Sequence, residues 1–583
     1  MENRIIPESK IAKKISLLIM FLFLFYSGIF IYRTSFVIEG ERYFVLMDDA
    51  MISMRYAKNL ANGYGAVWNP GGDKVQGYTN PLWMLYMAFF HLFPIPDSKI
   101  SLCIQISGVI FLLIGLIFYY RILLFLTTNI HISLISLFFS AFYYPLILWS
   151  IYGMEVSILT CLLLMGLYTL IVKKNYILTY FLLGIGILVR LDFSVVFALV
   201  LLFQIMYKEH RKYKSLLYGI VILFFFAGSQ FLFSKIYYGD FLPNTYYLKL
   251  YGTDLLLRLK RGWFYYRRFL SSVGYVFVLF VLLYLVQKKS KEETLFFLLF
   301  IGLSLYSIYV GGDVWEFLGG ANRFISPSFP LLIYLIVSSV FFFRSIIIGL
   351  TRCVNYVFVN VLTLILLILF FLAANHLFYI YTEEISLDNL TLRVIPFKTI
   401  DKFRLNYALY LKHVTKKNAK IATTGAGILP YFVDRYCIDI LGKNDRYIAC
   451  LMPRLLPEKY VPLGYWPGHM KFDYSYSIGK LKPDVVARLW FYGKEARGFL
   501  KDYVVATLRF FAGTRFTYYY YLHPRFRIDS KEIIWERLSD SVGFVSFVQI
   551  KMPEEGLEPT LPKREADFES AASPGSATPA SEE

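Results

Sequence analysis

Charged residues, cysteines and histidines are all scarce in this sequence of 583 residues. The five cysteines form no CxxC pair and the seven histidines form no HExxH or other ligand pair, so the common signatures of metal sites are missing. A P-loop and a GxSxG turn are also missing, which leaves a nucleotide-binding enzyme or a serine hydrolase of those kinds unsupported. The stretch "TGAG" (424–427) lacks the third glycine and the downstream acid of a dinucleotide site, and it indicates a plain turn from a strand to a helix.

The sequence is rich in apolar residues instead. It is 57% hydrophobic and 19% aromatic, with only 17% charged residues and a mean hydropathy of +0.53. Soluble domains are about 45–50% apolar, so this composition is typical of a membrane protein. The net charge of +19 comes largely from basic residues in short loops between apolar runs. Such loops lie in the cytoplasm by the positive-inside rule, so the charge indicates membrane topology and not nucleic-acid binding.

The apolar runs predict about eleven membrane crossings, since a membrane helix needs about 20 apolar residues. Basic residues before the first run place the N-terminus in the cytoplasm. The run at 176–207 is too long for one span, and we interpret it as two short helices with a tip near Arg190 to Asp192. The predicted spans are 15–33, 100–120, 132–149, 154–172, 176–207 (counted as two), 215–236, 269–287, 294–310, 328–347 and 355–379. An odd number of crossings places the C-terminal segment outside the cytoplasm.

Composition divides the chain into three parts. Residues 1–380 form the transmembrane domain, whose first outer loop, 34–98, contains two short helices predicted to lie on the outer membrane surface. Residues 381–551 alternate between predicted strands and helices, which indicates an extracytoplasmic α/β domain. The tail at 552–583 is rich in Ala, Ser, Pro and Glu and is predicted to be disordered.

In this topology the polar blocks between the apolar runs fall on the outer side, above the membrane. The first of them begins with Asp48 and Asp49. Carboxylates at the edge of a bilayer are costly if they have no role, so the pair is a candidate site. Helix capping is the simpler interpretation, because either acid could accept hydrogen bonds from the free amides of the helix that follows. One acid suffices for a cap, so both interpretations can hold together.

Six blocks carry a resemblance to a known family. They are "DDAMISMRYAKNLANGYGAVWNPGG" with "VQGYTNPLW", "WSIYGME", "LVRLD", "YYGDFLPNTYY", "YVGGD" followed by "RF", and "GYWPGHMKFD". In this order they resemble the membrane glycosyltransferases of the GT-C fold, and most closely the mycobacterial terminal arabinofuranosyltransferase family and its bacterial relatives. The resemblance covers residues 10–550. It implies a polytopic helical fold, a polyprenyl-phosphate sugar as donor and an outer-loop aspartate as catalytic base.

The chemistry of such a transfer suggests a role for each candidate residue. We expect Asp48 to be the base, while Asp49, about 100° around the helix, caps, orients or binds a cation. Arg190 and Arg323 are expected to bind the donor phosphate, because arginine presents a fixed fork to phosphate oxygens. Further candidates for substrate contacts are polar or aromatic residues of the outer blocks: Arg55, Tyr78, Trp83, Glu155, Asp192, Asn244, Tyr246, Asp313 and His469. Tyrosine and tryptophan are also common in interfacial belts, which is the alternative for the aromatic members.

Glu155 and Asp313 leave open a site for a divalent cation, although two acids are too few to establish a metal.

The predicted function is transfer of a sugar from a polyprenyl phosphate to a surface glycan, glycolipid or protein acceptor. The blocks do not encode the sugar. The alternative is a transporter or flippase of lipid-linked sugars, which would carry its polar residues in broken helices near the middle of the membrane.

Overall fold

The computed structural model describes residues 9–207, 213–287, 290–315, 322–350, 356–376, 398–459, 461–512 and 514–522. Most of them are helical. The α-helices that the structure describes up to residue 376 are α1 (Lys10–Thr34), α2 (Asp48–Ala61), α3 (Pro81–His91), α4 (Asp97–Leu126), α5 (Ile130–Ala141), α6 (Tyr144–Ile151), α7 (Val156–Ile171), α8 (Tyr176–Val189), α9 (Ser194–Met206), α10 (Tyr213–Tyr238), α11 (Asn244–Leu250), α12 (Leu255–Val273), α13 (Tyr275–Gln287), α14 (Lys291–Tyr309), α15 (Phe329–Leu350) and α16 (Tyr356–His376).

The expected fold class is confirmed, because the chain is a mostly helical, multi-pass membrane protein. Within the described residues, six helices are long and apolar enough to cross a membrane, and the number rises to eight if the bent pairs α5–α6 and α12–α13 each count as one span. Three shorter apolar segments, at 156–171, 176–189 and 191–206, occupy other positions where spans were predicted. They are shorter than a full span, so the total of eleven remains a prediction.

Small residues allow the central membrane helices to approach closely. A Cβ atom on Gly115 of α4 would lie 3.2 Å from the Cα of Cys161 in α7, and one on Gly108 would lie 2.3 Å from the carbonyl oxygen of Ser150 in α6. Close backbone contact of this kind replaces the hydrophobic driving force that is absent between helices in lipid. The helices that carry the outer loops are therefore firmly packed together.

The first outer loop folds against the ends of these helices. It opens with a hairpin of strands β1 (Phe36–Ile38) and β2 (Glu41–Tyr43), whose turn residues Glu39 and Gly40 both have positive φ. Two positive φ values are typical of the turn that joins a tight antiparallel hairpin. The helices α2 and α3 follow and pack against each other, at the positions expected for the two surface helices.

The described C-terminal residues form a mixed α/β layer. Its elements are α17 (Lys398–Val414), β3 (Lys420–Thr423), α18 (Ile428–Val433), β4 (Tyr436–Asp439), α19 (Arg446–Ala449), β5 (Val485–Val486), β6 (Val504–Ala512) and β7 (Thr514–Leu522). The sheet order is β4-β3-β5-β7-β6, parallel among the first three strands and antiparallel thereafter. The predicted strand, glycine turn and helix at 419–432 are present. The tail at 552–583 lies outside the described residues.

One buried apolar core joins this layer to the membrane part. Leu405 of α17, Tyr431 of α18 and Val485 of β5 belong to the same buried cluster as Leu46 before α2 and Trp149 of α6. The α/β layer therefore rests directly on the outer loops, and this contact is where the acid pair lies.

Candidate active site

Asp48 and Asp49 occupy the first turn of α2, at the contact between the outer loops and the α/β layer. The backbone immediately before them is fixed, because the N–H of Met47 donates to the carbonyl oxygen of Tyr152 at 3.0 Å. The N-cap of α2 is Met47, and no side chain caps this helix. The interpretation that one acid caps its own helix is therefore wrong. Successive side chains diverge by about 100° on a helix, and the two carboxylates accordingly reach different partners.

Asp48 faces the α/β layer. Its Oδ1 accepts a hydrogen bond from the backbone N–H of Ile428, at the start of α18, at 2.9 Å, and Arg404 lies 3.9 Å from the same oxygen. The backbone of α2 approaches so closely that a Cβ on Gly427 would lie 1.8 Å from the carbonyl oxygen of Asp48. The "TGAG" turn therefore serves close packing against the acid pair. Asp48 caps a helix, but the helix is α18.

Asp49 faces a group of cations. Its Oδ2 lies 3.1 Å from Arg323 and accepts from the indole N–H of Trp315 at 3.2 Å, while its Oδ1 lies 3.2 Å from the Nζ of Lys443. Burial alone would raise the pKa of Asp49, but the positive charges of Lys443 and Arg323 outweigh it and hold the pKa well below its usual range. Asp49 is thus a firmly ionised counter-ion and a weak base.

Arg323 connects Asp49 to the loop after α14. Two of its nitrogens bind both oxygens of Asp313, at 2.6 and 2.7 Å, and its third nitrogen lies beside Asp49. Burial disfavours the charge, but the two carboxylates raise the pKa of Arg323 above its ordinary value. The sequence placed Asp313 among the substrate contacts, whereas the structure gives it the task of orienting Arg323.

Lys249 of α11 is a further cation of this group. Asp49 and Asp313 are near enough to raise its pKa, but burial and the charge of Arg323 outweigh them and lower the pKa to about 8. Within the described part of the chain, no carboxylate oxygen lies within 4 Å of the Lys249 ammonium, and no hydrogen bond satisfies it. A partly desolvated ammonium without a partner is suited to bind an anion.

Two side chains hold Lys249 and Lys443 in position. The side-chain amide of Asn244 donates to the carbonyl oxygens of Gly442 and Lys443, at 2.9 and 3.1 Å. The buried Nζ of Lys471 donates to the carbonyl oxygens of Tyr247 and Tyr251, at 2.9 and 2.8 Å, and so secures the end of α11. Asn244 was predicted to contact the substrate, but its donors are used to hold the Lys443 loop.

The sequence predicted that Arg190 binds the donor phosphate, but in the structure this guanidinium is bound by carboxylates. Its Nη1 donates to Glu155 at 2.7 Å, and its Nε donates to Asp192 at 3.0 Å while Nη2 binds the second oxygen of the same carboxylate. Asn80 completes the cluster by donating to Glu155 at 2.9 Å. Because two carboxylates already satisfy this guanidinium, the prediction that Arg190 binds phosphate does not fit the structure. Glu155 and Asp192, which were predicted to contact the substrate, are likewise paired with Arg190 in this cluster.

Arg55 also has a structural task. This buried guanidinium donates to the carbonyl oxygens of Trp68 and Arg435, at 2.5 and 2.7 Å, and also to that of Pro430. It therefore ties α2 to the α/β layer. Its donors are engaged with backbone carbonyl oxygens, and a substrate contact of Arg55 stays a prediction.

The three predicted aromatic residues each contact other residues of the protein. Trp83 is fully buried and donates its indole N–H to the carbonyl oxygen of Gly153 at 3.0 Å, which steadies the loop that carries Glu155. Tyr78 is buried against Tyr56, and its hydroxyl bonds that of Tyr238 at 2.8 Å. Tyr246 is 42% exposed and packs edge-to-face on its neighbour in α11. These contacts are typical of packing, and substrate contacts of the three residues stay predictions.

His469 does approach the site. Its ring lies against Trp466 and Trp490, with centroids 5.0 and 5.7 Å apart, and its Nδ1 pairs with the carbonyl oxygen of Pro467 at 3.0 Å. Burial and then the charge of Lys443 lower the pKa of His469 to about 3. The imidazole is therefore neutral at physiological pH, where it can hydrogen-bond a hydroxyl group but cannot act as a cationic acid.

Glu155 and Asp313 are not suited to bind a divalent cation. Glu155 is neutralised by Arg190 and Asp313 by Arg323. Among the described residues, no three His, Cys, Asp or Glu side chains come together as a metal site. A carboxylate already bound by a guanidinium is a poor ligand for a hard cation, which needs several oxygen ligands.

A second acid cluster adjoins Asp48. Arg404 and Asp401, both in α17, are 3.3 Å apart, and the hydroxyl of Tyr152 donates to Asp401 at 2.5 Å. Burial raises the pKa of Asp401 to about 7, although Arg404 and Tyr152 oppose the shift.

Sequence reasoning missed Lys249, Lys443, Trp315, Arg404 and Asp401. Lys249 lies two residues after the quoted block "YYGDFLPNTYY", so one of them was close to a recognised signal.

Comparisons with known proteins place the chain only coarsely. Residues 398–522 match the model of a family described as a domain of unknown function, DUF8728. No curated protein matches the sequence. Solved structures similar to this chain include that of ArnT from Cupriavidus metallidurans in the apo state, with 10% identity over 73% of this chain and 85% of that chain and a TM-score of 0.44.

The same ArnT bound to undecaprenyl phosphate gives 9% identity over 73% and 85% of the two chains and a TM-score of 0.44. The apo oligosaccharyltransferase of Archaeoglobus fulgidus gives 10% identity, 87% and 74% coverage, and a TM-score of 0.47. Both neighbours are GT-C fold glycosyltransferases. Scores of this size do not establish a shared activity, and the mycobacterial arabinofuranosyltransferase family is not shown by them.

Proposed function

We propose that this protein transfers a sugar from a polyprenyl-phosphate donor to a glycan, glycolipid or protein acceptor at the outer face of the membrane. One observation carries the proposal. The ammonium of Lys249, which has no ion-pair partner among the described residues, lies with Arg323 and Lys443 around Asp49, and Oδ2 of the next residue, Asp48, makes no hydrogen bond within those residues. A phosphate site therefore adjoins a base at the outer ends of apolar helices.

The cations account for the leaving group. When the bond between the sugar and the phosphate breaks, negative charge grows on the lipid phosphate, and fixed positive charges stabilise it. Lys249 has no competing partner within the described residues. Arg323 and Lys443 are held by Asp49, so a bound phosphate would share their charge with that carboxylate. We assign the phosphate to Lys249 first and to Arg323 and Lys443 in support.

Asp48 is the better base of the pair. A general base needs an oxygen that is free to reach the acceptor hydroxyl. Both oxygens of Asp49 are held by cations or by Trp315, whereas Oδ2 of Asp48 makes no hydrogen bond among the described residues. In the proposed step, the acceptor oxygen attacks the anomeric carbon. The electron pair of the broken bond leaves with the phosphate, and the acceptor proton passes to Asp48.

A donor assay in detergent tests the proposal. A panel of farnesyl-phosphoryl sugars is incubated with the full-length protein, and membranes of the cells that naturally make the protein supply the acceptor. The release of farnesyl phosphate is measured. We expect turnover with at least one sugar and its loss in Asp48→Asn. A flippase would move the lipid-linked sugar across a proteoliposome without breaking the sugar–phosphate bond. Transport with no release of farnesyl phosphate would therefore overturn the proposal in favour of that alternative.

A further inference from the structure

One guanidinium, that of Arg404 in α17, lies between two carboxylates. Its Nη1 is 3.3 Å from Oδ1 of Asp401, which is one turn earlier in the same helix, and 3.9 Å from Oδ1 of Asp48 in α2. The side chains of Asp401 and Asp48 are buried, whereas that of Arg404 is 25% exposed. A single positive charge is therefore shared between the proposed base and a second acid that lies behind it.

Asp401 is held by the same residue that fixes the start of α2. The hydroxyl of Tyr152 donates to Oδ2 of Asp401 at 2.5 Å. The carbonyl oxygen of Tyr152 accepts from the N–H of Met47, the residue before Asp48, at 3.0 Å. Tyr152 is fully buried. The distance between the two acids is therefore set by direct contacts through Tyr152 as well as through Arg404.

The sharing of Arg404 bears on the chemistry of Asp48. A positive charge beside a carboxylate favours its ionised form, so a carboxylate next to an uncompensated guanidinium is a weaker base. An ionised Asp401 lies closer to Arg404 than Asp48 does, and it offsets much of that positive charge. When Asp401 is neutral, the charge of Arg404 acts on Asp48 alone.

We propose that Asp401 is a positioning residue of the candidate site, which holds Arg404 away from Asp48 and leaves Asp48 able to take the acceptor proton. The inference rests on the proposed function, since it adds a residue to the same step. Asp401 is 1% exposed, so it acts through Arg404 and not on the substrate. The acceptor oxygen still attacks the anomeric carbon, the electron pair leaves with the phosphate, and the proton passes to Asp48.

The groups that act on the charge of Asp401 come from the elements around it. They are Arg404 on its own helix, Tyr152 at the end of α6 and Asp48 on α2. The helix α18, which packs against α17, has Tyr431 as its titratable side chain, and the hydroxyl of Tyr431 is hydrogen-bonded elsewhere. Burial raises the pKa of Asp401 to about 7 in this setting. The carboxyl is therefore mostly neutral well below pH 7 and mostly ionised well above it.

Transfer kinetics of the full-length protein in detergent test the inference, with the farnesyl-phosphoryl sugar that the wild-type protein turns over fastest. At pH 8, Asp401→Asn should lower kcat about tenfold. The KM for the donor should stay unchanged, because the phosphate is assigned to Lys249, and the melting temperature should not fall. The ratio of wild-type to Asp401→Asn kcat should approach one well below pH 7, because a neutral Asp401 resembles asparagine. The ratio cancels the titration of Lys249, which both proteins share.

Two further variants separate positioning from a structural role. The double variant Asp401→Asn/Arg404→Met removes the guanidinium that the single change releases, so it should recover most of the lost kcat, whereas packing damage would accumulate. Tyr152→Phe removes a hydrogen bond that favours the ionised form of Asp401, so its kcat should rise at a higher pH than that of the wild-type protein. Asp502→Asn, at an exposed aspartate of the same layer, is the matched control and should keep the wild-type kcat.

The outcomes distinguish this inference from the proposed function. A pH-independent ratio, a double variant no faster than Asp401→Asn, or a Tyr152→Phe profile identical to wild type would overturn the role of Asp401 and leave the proposed function standing. An equal loss of kcat in Asp502→Asn would also overturn it, by showing a general electrostatic effect. If the wild-type protein releases farnesyl phosphate from no sugar of the panel, the proposed function fails and the positioning role fails with it.

Discussion

Asp48 accepts a hydrogen bond from the backbone N–H of Ile428, a residue 380 positions away in the chain, at 2.9 Å. The Asp48 carboxylate of the first outer loop is therefore hydrogen-bonded to the α/β layer. Any movement of α18 would move an oxygen of the proposed base, so the α/β layer takes part in positioning the site.

Replacing Asp48 by asparagine separates its two tasks. The amide oxygen of Asp48→Asn can still accept from the Ile428 N–H, but the side chain cannot take a proton. We expect sugar transfer to fall by about 10²- to 10⁴-fold, the usual contribution of a general base, with the melting temperature nearly unchanged. Asp48→Ala should lose both activity and stability. Turnover close to wild type in Asp48→Asn would remove Asp48 from the catalytic role.

Asp49→Asn should act mainly on stability. It removes the carboxylate that pairs Arg323 and Lys443. Breaking a largely buried ion pair costs about 3–5 kcal/mol, and the partial exposure of this pair places the expected loss toward the low end. Thermal unfolding in detergent measures the effect. The matched control is Glu495→Gln, which breaks the exposed pair with Arg454 and should change stability by about 1 kcal/mol or less. Equal losses of stability in the two variants would contradict the role of Asp49 as a buried counter-ion of Arg323 and Lys443.

Gly427→Ala should disturb the contact between α2 and α18. The added Cβ would lie 1.8 Å from the carbonyl oxygen of Asp48, so the two backbones must separate and the Asp48 hydrogen bond must lengthen. We expect a lower melting temperature and lower transfer activity together. Gly498→Ala in the same layer is the control, because a Cβ there meets nothing within 4 Å. A Gly427→Ala protein as stable and active as the control would show that α2 and the start of α18 are not in close contact at Gly427.

The stability of the protein should depend on pH through Asp401. Burial raises the pKa of this carboxyl to about 7 in the folded protein, whereas an unfolded aspartate has a pKa of about 3.9. Between these values the unfolded chain releases the proton first, so the free energy of unfolding contributed by this group falls as pH rises from about 4 to about 7. Asp401→Asn should therefore gain melting temperature relative to wild type more at pH 8 than at pH 4. A pH-independent difference would contradict the raised pKa.

Cysteine labelling tests the predicted topology. In a Cys450→Ser background, which removes the one exposed thiol among the described cysteines, Lys74→Cys and Lys482→Cys should react with an impermeant maleimide in intact cells. Ser290→Cys, at the start of α14, should react only after the membrane is permeabilised. Labelling of Ser290→Cys from outside would invert the topology and place the acid pair in the cytoplasm.

The sequence by itself determined the membrane character, the helical class and the position of the acid pair. These follow from local properties: apolar runs of span length, basic residues in short loops and carboxylates at the edge of an apolar run. The strand, glycine turn and helix around "TGAG" were also predicted, because each depends on neighbouring residues. The divergence of Asp48 and Asp49 followed from the helical repeat alone.

Only the tertiary structure decided which charges face one another. Asp49 and Lys443 are separated by 394 positions, and no local period brings them together. Sequence could not distinguish Arg190, which is fully paired with Glu155 and Asp192, from Arg323, which reaches Asp49. It also could not show that Lys249 has no ion-pair partner among the described residues. The pairing of a buried charge depends on which side chains folding brings within a few ångströms, and this distance is set by packing and not by position along the chain.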